Sequence, residues 1–159
     1  MIKDATLSSD RKYRYELKRI WDTEKEYLNV IGLNPSTADE SEDDPTLRRC
    51  IGFAKDWGYG GLTMTNLFAY RATKPSDMMQ VDDPVGIENN KYLIENAKDA
   101  GMVLFAWGAT GNHLDRDKAV IDLLPCQGYC LKVTNEGMPG HPLYIKKNTT
   151  PLLYDYINH

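Results

Sequence analysis

From residue 27 onward, short apolar runs alternate with amphipathic segments of helical spacing, and this constrains the fold more than any other feature of the chain. Tyr27 to Leu33 (YLNVIGL) is a short apolar run that ends at Asn-Pro and reads as a buried strand. Pro45 to Trp57 places Leu47, Cys50, Ile51, Ala54 and Trp57 on one helical face, with Asp44 as N-cap and Pro45 at the first helical position. Gly58, Gly60 and Gly61 close that helix before a second apolar strand, Leu62 to Phe68. Tyr70 to Pro84 is a long connection with a helical turn near Ser76 to Gln80. Gly86 to Ala100 reads as a helix with Ile87, Leu93, Ile94 and Ala97 on its apolar face, stopped by Gly101. Met102 to Trp107 (MVLFAW) is a third strand, and Gly108 to Asn112 turns into a helix running to about Leu124. Tyr129 to Val133 reads as a fourth strand, Thr134 to Pro142 as a loop, and Pro151 to Ile157 as a closing helix.

Strands and helices in alternation imply a parallel sheet covered on both faces. The expected architecture is a three-layer α/β/α fold around a mainly parallel four-stranded sheet, forming a single α/β domain over residues 1–159. Ahead of it, Tyr13 to Trp21 alternates Tyr13, Tyr15 and Leu17 against charged neighbours, the pattern of a half-exposed strand added antiparallel. The polar stretch Asp22 to Glu26 reads as a hairpin connection.

Composition narrows the classes of function. A net charge of −4 argues against a domain that coats nucleic acid non-specifically, since such domains carry a large basic excess. Cys50, Cys126 and Cys130 are an odd set with no framework spacing, so reduced thiols in a cytoplasmic setting are expected. Cys126 and Cys130 have no second ligand pair at a metal-like spacing, so neither a metal nor another cofactor is expected. The first residues carry no apolar core of signal-peptide length, and no run approaches a membrane span; no membrane association is expected.

In a parallel sheet, ligands bind beyond the carboxyl ends of the strands. Four unusual segments fall there: Asn34-Pro35-Ser36-Thr37, Asn66-Leu67-Phe68, Trp107-Gly108-Ala109-Thr110, and Gly137 to Pro142. Asn34, locked by Pro35, is a rigid polar group able to hold a water or read a base edge; the competing reading is a turn starter. His141, between Gly140 and Pro142, is a candidate acid, base or donor, or a structural histidine of the loop. His113 and His159 read as surface residues. Two of Arg48, Arg49 and Arg71 are candidates for gripping phosphate, against the alternative of pairing with Asp39, Glu42, Asp43 and Asp44. Gly108 to Asn112 resembles a phosphate-cradling turn but lacks the Gly-Lys-Ser/Thr of a P-loop. No nucleophile elbow and no His-Glu-x-x-His stretch occurs.

Over nearly its whole length the chain resembles an uncharacterised family of bacterial and phage proteins, a domain of unknown function. The stretches that carry this are GLNPSTAD, DDPTLRRC, WGYGG, NLFAYRAT, AWG and HPLY. More distantly, the order of motifs is similar to the uracil-DNA glycosylase superfamily. Gly32-Leu33-Asn34-Pro35 matches its Gly-x-Asn-Pro motif, Asn66 and Phe68 its second-strand motif, Trp107-Gly108 its apolar strand end, and His141-Pro142 its His-Pro loop. The chain departs from the superfamily after His141-Pro142. It reads Leu143-Tyr144 where members have a serine and a residue that wedges into the duplex.

The resemblance implies a uracil-DNA glycosylase-like fold and a hydrolase that releases a base from its sugar, acting on a nucleic acid or a nucleotide. In that reading Asn34 positions the attacking water and His141 supports the departing base. Pro35, Ser36, Thr37, Arg48, Asn66, Phe68, Arg71, Trp107, Gly108 and Pro142 are the expected substrate contacts. The alternative is a non-catalytic protein that binds a nucleotide or modified base in the same pocket. The residues leave open the base, the polymeric or free state of the ligand, and the oligomeric state.

Overall fold

The computed structural model describes residues 1–155. One seven-stranded sheet runs through it in the order β1-β2-β4-β3-β5-β6-β7. The strands are β1 (Ile2–Leu7), β2 (Arg14–Ile20), β3 (Tyr27–Gly32), β4 (Gly61–Asn66), β5 (Met102–Phe105), β6 (Tyr129–Cys130) and β7 (Leu152–Leu153). The α-helices are α1 (Pro45–Asp56), α2 (Pro75–Met78), α3 (Asn89–Asp99) and α4 (Arg116–Leu123).

The sheet is mixed, which corrects the expectation of a mainly parallel, four-stranded, uracil-DNA glycosylase-like sheet. β3 pairs parallel with β4 and β5, and β5 parallel with β6. Three further pairings, β1 with β2, β2 with β4 and β6 with β7, are antiparallel. The added edges escape periodicity for a physical reason. β1 is half exposed along its length and both residues of β7 are exposed, so neither carries the buried apolar stripe that marks a strand in sequence.

Four other expectations fail. Residues 22–26 do not join a hairpin, because β4 lies between β2 and β3. The segment after Gly108 is not one helix. A 3₁₀ stretch, Ala109–Asp115, precedes α4, and Leu114 and Asp115 adopt left-handed φ of 55° and 53° at the break. Ile87, expected on the face of a helix, is 92% exposed and precedes α3. The closing helix is replaced by β7 as far as the described residues extend.

Strand alternation divides the core. Leu28 and Val30 of β3, Leu62 and Met64 of β4, and Leu104 of β5 join Leu47, Cys50, Phe53 and Ala54 of α1 on one face. Ile31, Val103 and Phe105 face the other way and meet Leu93 and Ala97 of α3 and Val120 of α4. α1 starts as its sequence directs: the Asp44 side chain accepts from Leu47 N at 2.8 Å, and Pro45 follows. Arg19 of β2, fully buried, gathers the chain ahead of α1. It pairs with Asp43 at 2.9 Å and donates to the carbonyls of Asp39 and Glu42. That clamp sets where α1 begins, and therefore where Asp44 sits.

Candidate functional site

Three parallel strands end on one edge of the sheet, and a cleft of about 450 Å³ opens there. Gly32, Leu33 and Asn34 after β3, Asn66 at the end of β4, and Ala106, Trp107 and Gly108 after β5 line it. Thr46 of α1 and the cap residue Asp44 form another wall. His141, Pro142, Leu143 and Tyr144 close it from the loop after β6. The size falls within the range of small-ligand pockets.

The loop carrying His141 is held by backbone. Gly108 N donates to Pro139 O at 2.9 Å, and Gly140 N to Lys132 O at 2.7 Å. Gly108 sits at φ 74°, a conformation that disfavours side chains, and this bend passes the chain beneath His141. Within the loop, Leu143 N donates to His141 Nδ1 at 3.2 Å. A lone pair must therefore face that N–H, so the neutral ring carries its proton on Nε2. Burial lowers the His141 pKa below its ordinary value, opposed by the negative charge of Asp44. At neutral pH the ring is an uncharged donor through Nε2.

Asn34 is committed in the complementary sense. Its Nδ2 donates to Ala72 O at 2.8 Å and to Pro35 O at 3.1 Å. Oδ1 is the uncommitted atom, so this side chain can accept but has no donor to spare. Asn66 is 2% exposed, and its Nδ2 has no partner among the described residues. It stands against Gly32, where an added Cβ would approach Asn66 Oδ1 to 2.8 Å. Glycine at position 32 is thus what lets the amide occupy the cleft.

The cleft gathers Asn34, Ser36, Asn66, Trp107, Gly108, His141 and Pro142 of the residues singled out in the sequence. The remaining five expected contacts lie elsewhere. Phe68 is fully buried in the opposite core, 5.5 Å from the His113 ring. The Trp107 ring also packs into that core, against Phe105 at 4.6 Å. Thr37 and Arg71 border an adjoining groove with Arg11 and Lys12, which shares Ser36, Ala72 and Thr73 with the cleft. Arg71 donates weakly to the carbonyls of Ser36, Arg11 and Thr37 there, at 3.4 to 3.5 Å. Arg48 is exposed and donates to Asp43 O. Pro35 is buried but does not line the cleft. His159 lies outside the described residues.

Sequence reasoning missed Arg14, and read Asp44 as a helix cap or an arginine partner rather than a cleft residue. Both line the cleft. The antiparallel pairing of β2 with β4 puts the start of β2 beside the end of β4, and Arg14 N donates to Ala69 O at 2.9 Å. Arg14 sits in a run of charged residues that reads as solvent-facing, so only the strand order could have revealed it.

A family model described as a protein of unknown function, DUF1643, matches residues 14–143. The chain belongs to the DUF1643 family. No curated protein and no solved structure matches it. The DUF1643 match takes in every cleft-lining residue from Arg14 to Leu143 and stops one short of Tyr144. Among the described residues no helix is long and apolar enough to cross a membrane.

Proposed function

We propose that the cleft belongs to a base-releasing hydrolase, which cleaves the N-glycosidic bond of a nucleotide or nucleic acid. One observation carries the reading: Asn34 and His141 line the same cleft, each with one side-chain atom fixed by backbone and the other left for a ligand. The fixed halves dictate the roles. Asn34 Oδ1 accepts a hydrogen bond from water, and His141 Nε2–H donates to a group gaining negative charge.

In the reaction, water held by Asn34 attacks the anomeric carbon while the carbon–nitrogen bond breaks and its electron pair leaves with the base. The sugar passes through oxocarbenium character. Asp44, on the same cleft, takes the water's proton. His141 Nε2–H meets the charge growing on the base, which then takes a proton from solvent as Asp44 returns its own. A neutral histidine suits this work, because an uncharged donor matched to an anion keeps its proton through the step. The resemblance in motif order to the uracil-DNA glycosylase superfamily points to the same assignment for Asn34 and His141, in a sheet that is not of that type.

The test is incubation of the protein with single-stranded and duplex oligonucleotides carrying uracil or modified bases, and with free nucleotides, followed by chromatography for free base. Free base whose yield follows the amount of protein is the expected result. A ligand that binds and is recovered unaltered from every substrate would replace the hydrolase by a non-catalytic nucleotide- or base-binding protein.

A further inference from the structure

Three arginines are buried among the described residues: Arg14, Arg19 and Arg116. Two are spent on the protein. Arg19 pairs with Asp43 through Nε and donates through both terminal nitrogens to backbone carbonyls. Arg116 donates through Nε to Leu67 O at 2.8 Å and through Nη2 to Asn90 Oδ1 at 2.6 Å.

Arg14 differs. It is 2% exposed, and among the described residues its one side-chain hydrogen bond runs from Nη1 to Ala38 O at 2.9 Å. Nε is buried without an acceptor, and no carboxylate approaches the guanidinium within ion-pair distance among the described residues. The nearby carboxylate, Asp44, caps α1 through Oδ1 and makes no ion pair with Arg14. Burial lowers the Arg14 pKa to about 10, so it stays cationic at neutral pH. A buried, unpaired cation with an idle donor costs folding free energy, and such costs persist where a ligand meets them.

The idle atoms define the ligand. Nε and Nη2 form one edge of the guanidinium, a planar fork that matches two oxygens of a phosphate or carboxylate. Arg14 and Asn66 line the same cleft, and Asn66 Nδ2 is a second buried donor without a partner among the described residues. Asn66 also keeps an amide oxygen, so the ligand class is set by the guanidinium: a buried cation with an idle donor edge calls for an oxyanion. The cleft, at about 450 Å³, suits a small molecule, and the chain's net charge of −4 offers no excess of cations to track a polymer backbone.

We infer that Arg14, with Asn66, forms the anion subsite of the cleft and holds the terminal phosphate of a free nucleoside monophosphate through its Nε and Nη2 edge. The nucleoside part of this assignment rests on the base-releasing reading; the anion part rests on Arg14 and Asn66 alone. Free mononucleotides, rather than oligonucleotides, are then the substrates.

Binding of the common nucleoside 5′-monophosphates, their nucleosides and a short single-stranded oligonucleotide, measured by calorimetry on the full chain, tests this. The wild type should prefer the best monophosphate over its nucleoside by about tenfold or more, the scale of one charge-assisted hydrogen bond. Arg14→Lys, which keeps the charge and loses the fork, should bring the two near parity while the melting temperature confirms folding. Because an Arg14 variant can fail to fold, a second arm uses the wild type alone. The Arg14 Nε–H resonance of ¹⁵N-labelled protein should shift on titration with inorganic phosphate and with the monophosphate.

Equal affinity for nucleoside and monophosphate, a preference retained in folded Arg14→Lys, an Nε–H signal moved by acetate but not phosphate, or one moved by neither would overturn the inference. The two readings fail separately. Base release from oligonucleotides without a monophosphate preference rejects this subsite and keeps the hydrolase. A monophosphate preference without base release keeps the subsite and rejects the hydrolase.

Discussion

His141 ties the chemistry of the cleft to pH. Its pKa lies below the ordinary ~6.5 of histidine through burial, with Asp44 opposing. The folded state therefore binds fewer protons than the unfolded chain between that lowered value and about 6.5, and stability rises with pH across the window. This contribution is fully present above about 6.5 and is lost as pH falls through the folded value. Activity that needs a neutral donor should show an acid limb below 6.5, measurable as the pH dependence of kcat. Asp44→Asn, which keeps a capping oxygen for Leu47 N but removes the charge, should lower the His141 pKa further in an NMR titration; a rise would show that the two groups do not communicate. At Gly32 the argument is steric. Gly32→Ala should weaken ligand binding more than it weakens the fold, because the new methyl displaces the Asn66 amide from the cleft. Unchanged affinity in that variant would remove Asn66 from the site. Asn34 and His141 were legible in sequence because proline restricts one and a Gly-Pro frame the other. Arg14 was not, since its burial is decided by neighbours distant in the chain.

At the scale of elements, what sequence conveys is what local periodicity records. β3, β4 and β5 are buried on both faces and read as apolar runs, and α1 carries its cap, its proline and its apolar stripe in one stretch. Strand order leaves no such local trace. The place of β4 between β2 and β3 follows from packing across the whole sheet, and the left-handed pair Leu114-Asp115 breaks a stretch whose sequence carries no glycine at the break. The pairing inside the sheet is equally hidden: Asn29 Nδ2 donates to Thr63 Oγ1 at 3.0 Å, a contact that the two separate runs do not announce. Arg19 shows how one element places another. Replacing it with alanine should cost about 3–5 kcal/mol in denaturant unfolding, because it leaves Asp43 and two carbonyls without their buried partner. Arg48→Ala should leave stability and ligand affinity unchanged, since the side chain is exposed and off the cleft. A loss of affinity there would mean that the site extends past α1.

Across the molecule, mixed strand direction is what completes the site. The parallel strands bring Asn34, Asn66 and Gly108 to one edge, and the antiparallel β2 returns Arg14 to that same edge. Amide exchange should be slowest in β3, β4 and β5, which have partners on both sides, and fastest in β1 and β7 at the margins. The central claim is that this cleft releases a base with Asn34 and His141 as its working groups. Single-turnover release of free base, compared between wild type, Asn34→Ala and His141→Ala under conditions where all three are folded, tests it most directly. The account predicts measurable release by the wild type and a rate lower by ~10² or more in His141→Ala, the scale of losing one donor to a developing anion. Asn34→Ala should lose its held water and fall with it. Equal rates in all three proteins, or no free base from any nucleotide or oligonucleotide, would contradict it.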